Sequence, residues 1–352
     1  MSRDIEASNF GKNQTAEVFS KTEPVQVLAL DGGGLRGLYT ASVIKSLESQ
    51  LGHSICKHFD IITGTSTGGL IALALGRGIA GHEIQRFYLE NGAKIFPSGG
   101  LGGRLRSLRS LVLSKYSNRV LKDTLQRLLE TPDGNQPVLG DSQTRLVIPT
   151  FRAGESIPRL LKTPHAARYK YDWALPMWAV GMATSAAPTF LPSFEYDGRT
   201  YIDGGLWANN PSLVGLIEAK DLGAQLSNIR VLNIGTTFST SETVFQHWIG
   251  KLIRIRRAGF LGWAAQILPT VMQANSYATS SMYVHQLLER GNSFVINKQI
   301  DQGSSRLDRV ESSLFVEMGE AAGEGCYSQL EKFFQHAPKP YSPSKEAMNG
   351  RR

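Results

Sequence analysis

A serine between two glycines stands in the segment with the clearest chemical signature. Gly64-Thr-Ser66-Thr-Gly68 fits the pattern G-x-S-x-G, in which the glycines let the chain turn sharply between a strand and a helix and expose the serine hydroxyl. The N-terminus of the following helix favours developing negative charge. Because a strand pattern precedes the turn and a buried helix pattern follows it, the segment predicts a nucleophile at Ser66, although a purely structural glycine turn fits the same residues.

A glycine-rich loop, Asp31-Gly32-Gly33-Gly34-Leu-Arg36-Gly, also lies between a predicted strand and a predicted helix. Three consecutive glycines allow backbone N–H groups to converge on one point and hold an oxyanion, and Arg36 would add charge or fix the loop. A phosphate-binding loop for a nucleotide is the alternative. It would need a Lys-Ser/Thr ending or a ribose-binding acid downstream, and neither is in register. We therefore favour an oxyanion hole at Gly32, Gly33, Gly34 and Arg36.

An acidic turn, Tyr-Ile-Asp203-Gly204-Gly205, offers a carboxylate that two glycines follow. A serine needs a base to take its proton, and the usual base is histidine. The chain has seven histidines, but none lies in a glycine-rich turn or beside a conspicuous acid. Asp203 acting directly on Ser66 is therefore the sharper hypothesis. Two alternatives stay open: a Ser–Asp–His order that uses His247, His285 or His336, and a turn carboxylate that merely caps a strand end.

The segments that must position these residues alternate between strand and helix patterns. Residues 25–30 and 59–63 are short apolar runs, and each passes through a glycine-rich turn into an apolar helix pattern. Later strands are predicted at residues 145–149 and 229–234. The succession of a strand, a glycine turn and a buried helix therefore occurs twice. This pattern predicts an α/β protein with a parallel sheet and helices on both faces.

The composition indicates a globular protein with a basic surface. Of the 352 residues, 41% are apolar and 19% are charged, and the net charge is +8. That charge favours anionic partners such as phospholipid headgroups or nucleotides, while a nucleic acid polymer has little support because no nucleic-acid motif is present. The two cysteines suit a reducing cytoplasm. No apolar run is long enough for a transmembrane helix, so any membrane contact is expected to be peripheral.

The chain divides into three predicted parts: a flexible N-terminal arm at residues 1–23, a catalytic domain at 24–336 and a disordered tail at 337–352. The domain includes two basic segments near 98–129 and 247–272, which also carry many leucines or aromatic residues. Such segments suit an interfacial helix on anionic lipid, a lid that holds a phosphate-rich activator, or an ordinary cap with a solvated basic face. No His/Cys/Asp cluster has metal-ligand spacing, so no metal and no cofactor are expected.

The motifs DGGGLRG, GTSTGG and DGG, in this order, resemble those of the patatin-like phospholipase family. Further similar segments are Ala183-Thr-Ser-Ala-Ala-Pro188, Leu206-Trp-Ala-Asn-Asn210-Pro211 and Ile234-Gly-Thr236, and the resemblance spans roughly residues 25–240, with a weaker echo at 307–322. It implies a three-layer α/β/α sandwich with a central, mostly parallel sheet, and a Ser66–Asp203 dyad without histidine. It also implies an oxyanion hole from the Gly32–Gly34 backbone, hydrolysis of acyl esters of glycerophospholipids, and no metal.

By its size, the chain also resembles the patatin-like effectors of anti-phage cyclic-oligonucleotide signalling, which a cyclic dinucleotide activates and which then degrade the host membrane. This implies a cytoplasmic phospholipase A-type enzyme that is activated by a cyclic dinucleotide and then associates with a membrane surface. A homo-oligomer is one expectation for its assembly. The alternative functions are a thioesterase or acyltransferase, which would share the serine turn, and a weakly active binding or storage protein on the same scaffold.

Overall fold

The sheet of this protein has eight strands in the computed structural model, which describes residues 18–97, 114–238, 267–300, 307–308 and 310–349. The order is β5-β6-β3-β2-β1-β7-β8, and β4 pairs with the other edge of β3. The strands are β1 (Val25–Leu30), β2 (Ile61–Gly64), β3 (Arg145–Arg152), β4 (Ile157–Lys162), β5 (Phe194–Tyr196), β6 (Arg199–Asp203), β7 (Ile229–Ile234) and β8 (Ser293–Ile296).

The described residues form eleven α-helices, some of only one turn. They are α1 (Gly37–Leu51), α2 (Thr67–Gly76), α3 (Gly81–Ile95), α4 (Asn118–Leu129), α5 (Met177–Ser185), α6 (Gly205–Ala208), α7 (Ser212–Asp221), α8 (Ile267–Tyr277), α9 (Ser312–Cys326), α10 (Glu331–Phe334) and α11 (Lys345–Met348). The helix that begins with α8 continues through a π-helical segment (Ala278–Val284) and a last α-helical turn (His285–Leu287). None of the described helices is long and apolar enough to cross a membrane.

The two faces of the sheet bury separate apolar clusters. Leu28 and Leu30 of β1 point into a cluster with α1, α2, α5 and α9, whereas Val25, Val27 and Ala29 join a cluster with α7 on the other face. This alternation is the period-2 pattern of a strand buried on both sides. The three-layer α/β/α fold is therefore confirmed.

The mostly parallel sheet is confirmed, and β1, β2, β3 and β7 lie where the sequence predicts strands, whereas β8 and the antiparallel strands β4, β5 and β6 were not located from the sequence. Strands β3, β2, β1, β7 and β8 pair in parallel, while β4, β5 and β6 pair antiparallel next to them. Strands β4 and β6 are only partly buried, so they lack the continuous apolar run that identifies the core strands.

The chain after residue 336 departs from the predicted disordered tail as far as the structure describes it. Lys339 N–H donates to Asp60 Oδ1 at 2.7 Å, and the buried guanidinium of Arg145 donates to the carbonyls of Lys339 and Pro340. Ala347 of α11 is fully buried. The carbonyl oxygens of Lys339 and Pro340 thus accept hydrogen bonds from a buried arginine. These bonds let the segment pack against the domain although it has no apolar run.

Only parts of the other predicted segments are described. Within the predicted N-terminal arm, the N–H groups of Val18 and Phe19 donate to Leu222 O at 2.9 Å and the Phe19 side chain is buried, so the arm is attached to the domain at these two residues. Residues 1–17, 98–113, 239–266 and 350–352 lie outside the described residues, and with them lie half of the first basic segment and most of the second. The remainder of the first segment forms α4, and that of the second begins α8.

Candidate active site

The ends of β2 and β6 meet along one edge of β3. Strand β2 pairs in parallel with β3 up to Val147, and β6 pairs antiparallel with β3 down to Thr150. Because β4 occupies the other edge over 147–152, β2 and β6 share the remaining edge and run towards each other. The turns that follow the two strands therefore converge beside Ile148 and Pro149. This topology brings Ser66 and Asp203 together although they are far apart in sequence.

Ser66 lies in the strained turn that the G-x-S-x-G pattern predicts. Its backbone has φ 53° and ψ −124°, a conformation that a residue with a side chain rarely adopts and that is typical of functional turns. A Cβ at Gly64 would lie 2.2 Å from Gly68 O, and one at Gly68 would lie 2.2 Å from Leu30 O. Both positions thus require glycine, because the first turn of α2 packs against the ends of both β2 and the neighbouring strand β1.

The Ser66 hydroxyl donates a hydrogen bond to Asp203 Oδ2 over 2.7 Å. The other carboxylate oxygen, Oδ1, accepts the N–H of Gly205 at 2.6 Å. Gly204 is packed so closely that a Cβ there would lie 2.3 Å from Pro149 O. Since Asp203 is only 2% exposed, burial raises its pKa to about 6, against the opposing effect of these two hydrogen bonds.

Thr184 links the two turns and was missed as an individual residue by the sequence reasoning. Its Oγ1 accepts the N–H of Ser66 at 3.0 Å and donates to Pro149 O at 2.6 Å. Ala186, two residues further along, fixes the backbone at the acid, because Asp203 N–H donates to Ala186 O at 3.0 Å. The only sequence signal was the similarity of the Ala183–Pro188 segment to the family, which does not reveal a contact with the nucleophile.

The glycine loop lies against the serine, but its three amides are not equivalent. A Cβ at Gly32 would lie 3.4 Å from Ser66 Cβ. The N–H of Gly32 already donates to Asn209 O at 2.9 Å, whereas no described residue accepts from the N–H of Gly33 or Gly34. Gly34 has φ 59° and borders the same cavity as Ser66. The predicted group of oxyanion donors therefore narrows to Gly33 and Gly34.

Arg36 fixes the shape of the glycine loop. Its Nε donates to Gly33 O and one terminal nitrogen donates to Thr237 O, each at 3.3 Å. Burial lowers its pKa to about 10, so the guanidinium stays charged at neutral pH. At the start of the loop, burial raises the pKa of Asp31 to about 7, while the amide of Asn233, which donates to Asp31 Oδ1 at 2.7 Å, acts in the opposite direction. The Arg36 side chain therefore holds backbone carbonyls in place, whereas the Asp31 side chain is held by a side-chain amide of β7.

An apolar cavity with an empty volume of about 660 Å³, including space open to solvent, adjoins the serine and the acid. Ser66, Thr67 and Asp203 form its polar end, and Gly34 borders it. Most of the remaining wall is hydrophobic, with Leu70, Phe87, Ile95, Leu121, Phe190 and Met272 among its residues. A cavity of this kind accommodates a hydrocarbon chain and places its reacting end at the serine.

Helix α8 is connected to the glycine loop through Asn209. The side chain of Asn275 accepts the N–H of Asn209 at 3.1 Å, and Asn209 Nδ2 donates to Ser276 Oγ at 2.7 Å. Asn209 in turn accepts the N–H of Gly32. A helix that supplies Met272 to the cavity wall is thus joined by hydrogen bonds to the loop beside Ser66.

The histidines considered as alternative bases do not gather at this site in the described part of the chain. His336 Nε2 is bonded to Asp60 at 2.7 Å, just before β2 and therefore at the opposite end of the sheet. His285 is exposed in the last turn after the π-helical segment, and His247 lies outside the described residues. Among the described residues, no group of three His, Cys, Asp or Glu side chains could hold a metal ion.

Residues 28–214 match the family model for patatin-like phospholipases. This match covers more than half of the chain, together with the strands and turns that form the site. The chain therefore belongs to the patatin-like phospholipase family, and it is a hydrolase.

Three relatives carry the name cGAMP-activated phospholipase. The protein from Pseudomonas aeruginosa is 34% identical over 293 residues, which cover 81% of this chain and 82% of the relative. The protein from Escherichia coli is 31% identical, with 75% of this chain and 76% of the relative covered. The protein from Vibrio cholerae is 28% identical and covers 88% of this chain and 91% of the relative.

Proposed function

We propose that this enzyme cleaves acyl esters of glycerophospholipids, as a phospholipase A, through a Ser66–Asp203 dyad and an acyl-enzyme. The observation that carries the proposal is the 2.7 Å hydrogen bond from Ser66 Oγ to the buried Asp203, at the polar end of an apolar cavity. A carboxylate with a pKa near 6 is ionised at neutral pH and basic enough to accept a proton in the transition state.

In the acylation step, Asp203 takes the hydroxyl proton as Ser66 Oγ attacks the ester carbonyl. The N–H groups of Gly33 and Gly34, which donate to no described residue, stabilise the resulting oxyanion. The carbon–oxygen bond to the glycerol then breaks, and the proton on Asp203 passes to the departing lysophospholipid. In the second step, Asp203 takes a proton from water, the hydroxide attacks the acyl-enzyme, and Ser66 regains its hydrogen as the fatty acid leaves.

The cavity supports a substrate with a long hydrocarbon chain. The walls formed by Leu70, Phe87, Ile95 and Phe190 present almost no hydrogen-bonding group. Burying a fatty acyl chain against them contributes about 0.8 kcal/mol per methylene, so short-chain esters should bind more weakly than long-chain ones. The same chain burial fixes the ester carbonyl between Ser66 and the glycine loop.

We further propose that a cyclic dinucleotide activates the enzyme, in the cytoplasm, as part of an anti-phage response in which the membrane is degraded. The support is the name of the three relatives, cGAMP-activated phospholipase, and the net charge of +8, which favours an anionic ligand. The basic segments near 98–129 and 247–272 remain the candidate contact regions, as a prediction. An activator that binds an active state more tightly than an inactive one shifts the protein towards activity.

Lipid mass spectrometry on phosphatidylethanolamine/phosphatidylglycerol vesicles tests this function. Wild-type enzyme with cGAMP should release free fatty acid and lysophospholipid, and Ser66→Ala should release neither. Ser42→Ala, a buried serine in α1 outside the site, is the matched control and should behave as wild type. Product formation by Ser66→Ala would refute the nucleophile assignment.

A soluble short-chain ester separates the two candidate activators. If cGAMP acts directly, it should raise hydrolysis of this ester in the absence of lipid. If an anionic membrane surface is the activator instead, only vesicle hydrolysis should respond, and added salt should weaken the response as headgroup attraction is screened. Full activity on both substrates without any additive would contradict regulation by an anionic ligand.

A further inference from the structure

An exposed helical segment without any charged residue runs from Ile267 to Leu288. It comprises α8, the π-helical segment and the last turn to Leu288, and it contains no Asp, Glu, Lys or Arg. Charged residues make up 19% of the chain, and surface helices normally carry them on the face that meets water. Glu289 and Arg290 follow directly after the segment. The absence of charge is therefore a property of this helix and is not shared by its continuation.

Large apolar and aromatic side chains project into solvent along this charge-free helix. Tyr277 is 65% exposed, Tyr283 is 52% exposed and Met282 is 45% exposed. The helix is nevertheless firmly attached, because Met272, Val284 and Leu288 are buried against the body of the protein. A surface helix that is anchored on one side and exposes several large apolar or aromatic side chains on the other is typical of a contact site.

The same helix belongs to the candidate active site. Met272 lines the cavity next to Ser66, and Asn275 accepts from Asn209 N–H and donates to Trp207 O, in the turn that follows Asp203. A substrate that lies in a bilayer must leave it at the entrance of the enzyme's cavity. The helical segment forms part of the wall of that cavity and exposes uncharged side chains to solvent. It is therefore placed where the enzyme would meet the lipid surface.

We propose that the helical segment Ile267–Leu288 is the surface on which the enzyme docks onto a phospholipid bilayer. This proposal rests on the phospholipase function proposed above and names the part of the molecule that meets the substrate phase. Charged side chains would resist transfer into the interfacial layer, and this segment has none. Tyrosine suits that layer because its ring is apolar and its hydroxyl stays hydrated. The net charge of +8 adds attraction to anionic headgroups.

Matched tyrosine substitutions test the docking surface. Tyr277→Glu and Tyr283→Glu should each weaken vesicle binding about tenfold, since an apolar contact worth about this factor is replaced by a charge. Tyr171→Glu is the control, because Tyr171 is 73% exposed but lies between β4 and α5. Tyr277→Phe should retain binding. Flotation with phosphatidylethanolamine/phosphatidylglycerol vesicles, in a Ser66→Ala background and with cGAMP present, measures binding without hydrolysis.

Two activity assays in the active background complete the test. Tyr277→Glu and Tyr283→Glu should lower vesicle hydrolysis by about the same factor as binding and leave soluble-ester hydrolysis within about twofold of wild type. The proposal would be overturned if Tyr277→Glu and Tyr283→Glu bound vesicles as well as Tyr171→Glu does. A wild-type dimer that becomes monomeric in Tyr277→Glu, measured by light scattering, would also overturn it, because the helix would then be an interface between two copies. Failure of the phospholipase function itself would appear separately, as wild-type hydrolysis no greater than that of Ser66→Ala.

Discussion

Two buried carboxylates, Asp203 and Glu218, have similar exposure and opposite acidities. Asp203 is 2% exposed and Glu218 is 3% exposed, yet the pKa of Asp203 is raised to about 6 and that of Glu218 is lowered to about 2. Burial acts in the same direction on both. The partners differ: among the described residues, Asp203 accepts only from the neutral donors of Ser66 and Gly205, whereas Glu218 accepts from His165 and from the ammonium of Lys162.

The comparison separates a carboxylate that can work as a base from one that holds the structure. Because no cation of the described residues lowers the pKa of Asp203, burial leaves this carboxylate with the affinity for a proton that a base acting on Ser66 would need. With Lys162 beside it, Glu218 stays ionised and ties α7 to β4 and to His165. The two sites lie on one scaffold, so the difference comes from local partners and not from depth in the protein.

Removing the charge of Asp203 should have the largest effect on activity and none that harms folding. Asp203→Asn should lower kcat/KM on a soluble ester by about 10⁴-fold or more. The double variant Ser66→Ala/Asp203→Asn should have a kcat/KM only slightly lower than that, because the two residues act as one unit. A carboxyl whose folded-state pKa is raised stabilises the fold at low pH and loses that contribution as pH rises through about 6. Thermal unfolding at neutral pH should therefore show no loss of stability. Near wild-type turnover of Asp203→Asn would refute the dyad.

Removing the charge of Glu218 should show the reverse pattern. Glu218→Gln leaves Lys162 without its buried counter-charge and should cost about 3–5 kcal/mol of unfolding free energy, while activity below the unfolding temperature stays near wild type. Because the pKa of Glu218 is lowered, its contribution is present above about pH 4.5 and is lost as pH falls towards about 2. Chemical denaturation at several pH values measures this. Unchanged stability would mean that the ion pair does not anchor α7.

Placing a cation beside Asp203 should make it resemble Glu218. Met272 Cε lies 2.9 Å from the position of a Cβ on Gly205, next to the acid, so Met272→Lys puts an ammonium within reach of Asp203. The pH profile of kcat/KM should move down by about one unit or more, and activity at neutral pH should fall about tenfold because a weaker base transfers the proton. Met272→Leu is the control for lost packing. If the pH profile of Met272→Lys is the same as that of wild type, the pKa of Asp203 does not determine the pH dependence of catalysis.

Much of the fold and the turns that carry Ser66 and Asp203 could be predicted from the sequence because the signals are local. The apolar runs of β1, β2 and β7 and the glycine turns after them follow from strand burial and turn geometry. Three features depend on contacts between distant segments and have no local signal. They are the bridging hydroxyl of Thr184, the packing of the tail against Asp60 and Arg145, and the bond that occupies the Gly32 amide.

The central claim is that Asp203, and no histidine, takes the proton of Ser66. The most direct measurement is the pH dependence of kcat/KM on a soluble ester for wild type and for a variant with His247, His285 and His336 all changed to Gln. Both proteins should gain activity as pH rises through about 6, the pKa of Asp203, and level off above it with similar plateaus. Loss of the plateau or of the transition near pH 6 in the histidine variant, with its fold intact by circular dichroism, would contradict the claim and assign the base to a histidine.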